Sequence, residues 1–290
     1  MINKKFLAID IGGTSIKYGV FNSDLEPIEL FTVRTRPWKD ALVKQVEHIV
    51  KKHLFVDGIA IATAGVVDEF GTIKYANSNI RNYSSFELKN FVKEILNKYN
   101  LDIPVKVIND ANSAAYAEYV LDPNYKNSVT LTLGTGVGAG IILNGQLLTG
   151  VNGTAGELNA IRLFNSKRKV DTELSWSKFV RKLRISLQTD SMDIWDLYQT
   201  NNFAKYKLNK YLDKLANLLS IISYTLSVEV IYIGGGFSYC NVNILKILNE
   251  KFKQSYSFYN INPVQIKYAM NKNNAGMLGV LHLLIDKHFK

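Results

Sequence analysis

Apolar positions along this chain switch between a period of two and a period near 3.6, and the switches mark out its elements. Phe6–Ile11 and Ser15–Phe21 are short apolar runs parted by Gly12-Gly13-Thr14, and residues 28–35 follow; together they predict a three-stranded meander. Leu42, Val46, Ile49 and Val50 recur at helical spacing and predict a helix over 38–53. A buried strand is expected at 58–62, then TAGVVD (63–68) as a loop, a short strand at 71–75 and the polar loop NSNIRNY. Next come a helix over 85–99 capped by Ser84 or Ser85, a strand at 104–108 closed by Asn109-Asp110, and the helix ANSAAYAEYVL. Residues 123–128 read as a crossover into VTLTLGTGVGAGIILNG (129–145), two apolar strands joined by a turn of glycine, threonine and valine. After Glu157 the pattern weakens until helices near 175–187, 192–201 and 205–227. A buried strand at 228–233 ends in Gly234-Gly235-Gly236, and helix 242–253, strand 263–268 and helix 275–287 complete the chain. Strands alternating with helices make this an α/β protein, expected to divide into domains 1–122 and 123–290.

Composition narrows the function classes. Hydrophobic residues at 47% and charged residues at 21% are the balance of a soluble chain with a sizeable core. The net charge of +10 raises nucleic acid as a partner, but the basic residues are interspersed with acids and form no arginine-rich block or arm, so none is expected. A single cysteine, Cys240, excludes an internal disulfide and a cysteine-built metal site, and fits a reducing compartment such as the cytoplasm. Asp10 interrupts the first apolar run too early for a signal peptide. Residues 215–236 carry Ser220, Ser223 and Glu229, which argues for a buried helix and strand over a membrane span.

IDIGGTSIKYGVF and LTLGTGVGAGIIL repeat one design: apolar strand, Gly/Thr turn, apolar strand, each opening its own half of the chain. Each turn is an ordinary glycine hairpin on its own. As a pair, their bare amides suit the two sides of a polyphosphate. Asp10 fits either a turn cap or a carboxylate holding magnesium against those phosphates.

DIGGTSIK, TAGVVD, SNIRNY, NDANSAA, LTLGTGVGAG, GTAGE, IGGG and NNAGMLG follow one another from Asp10 to Gly279. Together they resemble the ROK (repressor, open reading frame, kinase) family of sugar kinases. That resemblance implies the two-domain actin/hexokinase-like (ribonuclease H-like) ATPase fold with a cleft between domains. It implies ATP and Mg2+ as cofactors, a small sugar as substrate and a homodimer. Asp110 matches the general base that takes the proton of the sugar's primary hydroxyl; on local sequence alone Asn109-Asp110 reads as a helix cap, and the two roles can coexist. The nucleotide positions are Asp10 (also the magnesium ligand), Gly12, Gly13, Thr14, Lys17, Gly134, Thr135, Gly136, Gly138, Gly235, Gly236 and Asn274. The sugar positions are Ala64, Gly65, Asn79, Asn109, Asp110 and Glu157. Without the family, Asn79 is a turn residue, Glu157 a surface charge and IGGG a strand-to-helix turn.

The departures carry information too. Many members continue the GE motif into Gly-His and a cysteine-rich zinc segment, whereas here GELNAIRLFNSKRKVD puts Ala160 in the histidine's place and has no cysteine. No structural zinc is expected, and His48, His53, His282 and His288 match no ligand position. The loss of both features puts plain glucose in doubt and favours N-acetylmannosamine, which some zinc-free members phosphorylate, over a glucokinase, fructokinase or β-glucoside kinase. The family also contains sugar-sensing regulators, but these carry a helix-turn-helix ahead of the first strand, which here begins by Phe6.

Overall fold

The computed structural model describes residues 4–77, 79–163, 167–190 and 193–289. Ser78 of the NSNIRNY loop, three residues of the segment after the GE motif (164–166) and the expected helix start at Met192 lie outside them.

The chain folds as two units. The first comprises Met1–Leu121, Leu147–Ala155 and Asn273–Lys290, and the second Asp122–Gln146 and Gly156–Lys272. The expected division at residue 122 therefore misses two returns of the chain. The larger is the C-terminal helix α9 (Ala275–His288), whose apolar stripe Met277, Val280, Leu281 and Leu284 packs on the first unit's sheet.

In the first unit β1 (Phe6–Ile11), β2 (Ser15–Phe21) and β3 (Pro27–Arg34) form the expected antiparallel meander, with β4 (Gly58–Thr63) and β7 (Val105–Asn109) added in parallel in the order β3-β2-β1-β4-β7. Every residue of β4, GIAIAT, is buried, as for a strand covered on both faces. Leu7, Ile9, Ile59 and Ile61 point to one face, against α1 (Lys39–Lys52) and α2 (Leu88–Asn97). Ala8, Ala60 and Ala62 point to the other, where their small side chains admit α9. The TAGVVD segment is not all loop: β5 (Val66–Val67) pairs with β6 (Ile73–Tyr75), because its two buried valines favour a pleated ladder. Neither Ser84 nor Ser85 caps α2, which starts after Glu87 with no side-chain cap; Ser84 Oγ accepts instead from the Ala76 amide, at 2.9 Å. The helix α3 (Asp110–Leu121) follows β7 without a loop.

The second unit repeats the plan. β8 (Ser128–Leu133) and β9 (Val137–Leu143) are the antiparallel hairpin, and β11 (Val230–Gly234) and β12 (Gln265–Tyr268) extend it in parallel beside β8. The chain leaves this unit through β10 (Gln146–Leu148). Helices α4 (Val170–Leu174), α5 (Trp176–Leu187), α6 (Ile194–Thr200), α7 (Asn202–Leu226) and α8 (Val242–Ser255) cover the sheet. The apolar window at 215–236 is the buried end of α7 followed by β11. Among the described residues no helix is long and apolar enough to cross a membrane.

Candidate active site

The turn after β1 is built to hold its carbonyls and expose its amides. Gly12 N–H closes the turn on Ser15 O at 3.0 Å. Thr35 ties down the rest: its Oγ1 donates to Gly12 O at 2.7 Å and its N–H to Thr14 O at 3.0 Å. The Gly13 and Thr14 amides donate to no described residue. Asn79 packs on this turn, where a Cβ at Gly13 would come within 3.0 Å of the Asn79 Cβ.

The same arrangement recurs after β8. Gly134 N–H closes on Gly136 O at 3.0 Å, and Ser175 Oγ donates to Gly134 O and Thr135 O at 3.2 and 2.7 Å. The Thr135 and Gly136 amides donate to no described residue. A turn whose acceptors are occupied and whose consecutive donors are open presents net positive potential, which suits an anion. Asp171 also reaches this turn: its Oδ1 accepts from Val137 N–H at 3.0 Å and would sit 2.6 Å from a Cβ at Gly136, which explains that glycine. Lys178, 3.4 Å from Asp171 Oδ2, offsets the added charge. Gly138 lies within β9 opposite Thr132.

In the first unit two carboxylates stand near each other. Strand register sets Lys17 opposite Asp10 across β1 and β2, and Lys17 Nζ donates to Asn273 O at 3.0 Å, next to Asn274 at the start of α9. The Asp10 carboxylate lies against Gly276, where a Cβ would be 2.6 Å from its Cγ. Burial and then repulsion from Asp110 push the Asp10 carboxyl up to about 7, with Lys17 opposing. Asn109, at the end of β7, is the cap of α3: its Oδ1 accepts from Asn112 N–H at 3.0 Å. Its Nδ2 donates to Gly65 O at 2.9 Å, beside Ala64, and to Asp110 Oδ1 at 3.1 Å. Asp110 is the first helical residue, and its Oδ1 also accepts from Ala111 N–H at 2.9 Å. Asn109 thus fixes Asp110 and the TAGVVD loop at once.

The second unit brings the glycine-rich segments together. Gly235, at φ +68°, packs so closely on the hairpin that a Cβ would lie 2.6 Å from Leu133 O. Gly236 borders a cavity of about 1000 Å³, lined also by Trp176, Arg181, Asp193, Trp195 and Tyr239. IGGG therefore ends β11 in a tight turn and also forms a cavity wall. Ser175 and Trp176 connect the two features, one holding the hairpin turn and the other facing the cavity. Glu157 is half-buried on a turn fixed by Gly156, at φ +82°, and its Oε2 accepts from Asn159 Nδ2 at 2.8 Å.

Sequence reading missed Thr35, Asp171 and Ser113. Ser113 lies within NDANSAA and donates to Gly276 O at 2.6 Å, whereas Thr35 and Asp171 belong to no glycine motif. The donor set in the first unit fits a divalent cation, since two neighbouring carboxylates, one held partly protonated by burial and repulsion, are relieved by positive charge. Among the described residues no three His, Cys, Asp or Glu side chains converge as a metal site.

Comparison with known proteins gives these features a context. An uncharacterized protein of Clostridium perfringens is 33% identical over 96% of both chains. The N-acetylmannosamine kinase of Vibrio cholerae is 26% identical over 88% of this chain and 91% of its own. Among solved structures, the Lmo2764 protein of Listeria monocytogenes, provisionally assigned as an N-acetylmannosamine kinase, superposes with a TM-score of 0.84 at 24% identity, covering 98% of this chain and 99% of its own. A ROK glucokinase of Streptomyces griseus, solved with glucose and AMPPNP, gives 0.78 at 23% identity, over 97% and 99%. The fold is that of the actin/hexokinase-like sugar kinases. The ROK family model matches residues 6–287, and the chain belongs to the ROK family.

Proposed function

We propose that this ATP-dependent sugar kinase phosphorylates the 6-hydroxyl of a hexose or N-acetylhexosamine, with N-acetylmannosamine the favoured acceptor, as a cytoplasmic homodimer. The observation that carries the reading is the continuity, within the second unit, of an amide-exposing hairpin turn, the three-glycine loop and the adjoining cavity. That is room for a nucleotide base beside a seat for its phosphates. Asp110 takes the proton of the sugar hydroxyl as its oxygen forms a bond to the γ-phosphorus, while the bond from that phosphorus to the bridging oxygen breaks and ADP leaves. Asp10 would hold magnesium, which supplies charge neutralisation at the phosphates when bound. Asn109 keeps Asp110 in place, and Asn79, Glu157 and the Ala64-Gly65 backbone contact the sugar. N-acetylmannosamine is favoured by Ala160, which stands where many relatives carry a histidine, and by the names of the Vibrio and Listeria proteins.

The test is a coupled ADP-release assay with magnesium across N-acetylmannosamine, glucose, N-acetylglucosamine, fructose and a β-glucoside. Turnover is expected to be highest with N-acetylmannosamine. A higher rate with another sugar would replace the substrate, and no turnover on any would end the reading. Light scattering tests the dimer, and a monomer at assay concentration would remove it.

A further inference from the structure

Glu157 and Asn159 are both half-buried, two residues apart on a turn whose backbone leaves them little freedom. Leu158 N–H donates to Gly156 O, Ala160 N–H to Glu157 O, and Val170 N–H to Ile161 O, which ties the turn to α4. Gly156 is pinned beneath, where a Cβ would lie 2.3 Å from Ala139 O of β9. On this platform one hydrogen bond joins the two side chains, from Asn159 Nδ2 to Glu157 Oε2 at 2.8 Å. The remaining oxygens, Glu157 Oε1 and Asn159 Oδ1, accept from no described residue.

We infer that Asn159 is a positioning residue of the sugar site. It fixes the Glu157 carboxylate so that Glu157 Oε1 and Asn159 Oδ1 stand as neighbouring acceptors for two donors on adjacent sugar carbons, a hydroxyl beside a second hydroxyl or an acylamino N–H. The inference rests on Glu157 contacting the sugar, as proposed above. An amide suits the role chemically. It offers a donor to the carboxylate and keeps an acceptor for the substrate, and it holds one protonation state at every working pH. A carboxylate held by a charge-assisted bond also loses less rotational freedom when the sugar arrives.

The test measures sugar KM, ATP KM and kcat for N159A and N159D on the sugar that the wild type turns over fastest. Asn159→Ala should raise sugar KM about tenfold, with ATP KM and kcat within about twofold and melting temperature unchanged. Asn159→Asp sets two carboxylates side by side, so its sugar KM should be high at pH 8 and fall toward the wild-type value near pH 5.5, where a shared proton restores the bond. A purely structural side chain would not produce that profile. The acidic residues of α4, packed against this turn, pair with lysines, Asp171 with Lys178 and Glu173 with Lys214, and they are the same in wild type and N159D, so the difference between the two pH profiles reports the substitution. If N159A matches wild type in sugar KM, or N159D follows the wild-type pH profile, Asn159 has no positioning role and the kinase reading stands. If the wild type phosphorylates no sugar, both fall.

Discussion

Replacing Asp10 with asparagine should stabilise the ligand-free protein while abolishing its activity. The Asp10 carboxyl, raised to about 7 from the ordinary 3.8, keeps its proton in the folded state across a window where the unfolded chain has lost it. Stability therefore falls as pH rises through that window, and the full penalty is present above pH 7. A shift of that size corresponds to about 4 kcal/mol at most. Asp10 keeps some solvent access, so the lower part of a range of roughly 2 to 4 kcal/mol is expected. Asparagine has nearly the same shape, carries no charge, and removes both the desolvation cost and the repulsion from Asp110. Thermal and urea denaturation of wild type and D10N at pH 8 and pH 5, without nucleotide or metal, check this. The variant should be the more stable at pH 8, by several degrees in Tm, and its advantage should shrink by about half or more at pH 5. Magnesium ATP should raise the Tm of the wild type and leave that of D10N nearly unchanged. A D10N protein that is less stable than wild type at pH 8, or whose difference does not vary with pH, would refute the burial-and-repulsion argument.

Three other substitutions probe separate parts of the account. Asp110→Asn should leave sugar binding by calorimetry nearly intact while kcat falls by about two orders of magnitude or more; a near-normal rate would remove Asp110 from the chemistry. Ser175→Ala unties the Thr135 carbonyl and leaves Gly134 O held only by Ser177 N–H, and should raise ATP KM about fivefold to tenfold, with sugar KM unchanged in the same steady-state assay. Gly279→Ala places a methyl 1.7 Å from Ser113 O where α9 crosses α3, and urea unfolding should show a loss of about 2 kcal/mol or more.

What the sequence made legible follows from what governs each element. β1, β2, β8 and β9 read directly because their apolar runs are bounded by glycine, and the paired hairpins proved to share a bonding plan as well as a composition. The residues that enforce that plan, Thr35 and Asp171, act across 23 and 34 positions of chain, so no local pattern announced them. The same holds for α9. Its helical period was plain, but its membership of the first unit depends on alanines of β1 and β4 that make room for it. Gly276 and Gly279 stood in the NNAGMLG segment with no role assigned to them, and the structure gives them a packing reason, close approach to Asp10 and to Ser113. The cap of α2 was misread because Ser84 spends its hydroxyl on the β6 side of the loop, a tertiary choice that outweighs local propensity. Asn109 was read both as a cap and as a site residue, and its three hydrogen bonds show how one amide holds the helix start and Asp110 together.

The central claim is phosphoryl transfer from ATP to a sugar hydroxyl with Asp110 as the base. Phosphorus NMR of wild type and D110N incubated with ATP, magnesium and N-acetylmannosamine tests it most directly. The wild type should convert the γ-phosphate signal into a sugar phosphate monoester coupled to the C6 protons, while D110N should leave ATP intact on the same timescale. A γ-phosphate that goes only to inorganic phosphate, or a sugar phosphate formed equally fast by D110N, would contradict it.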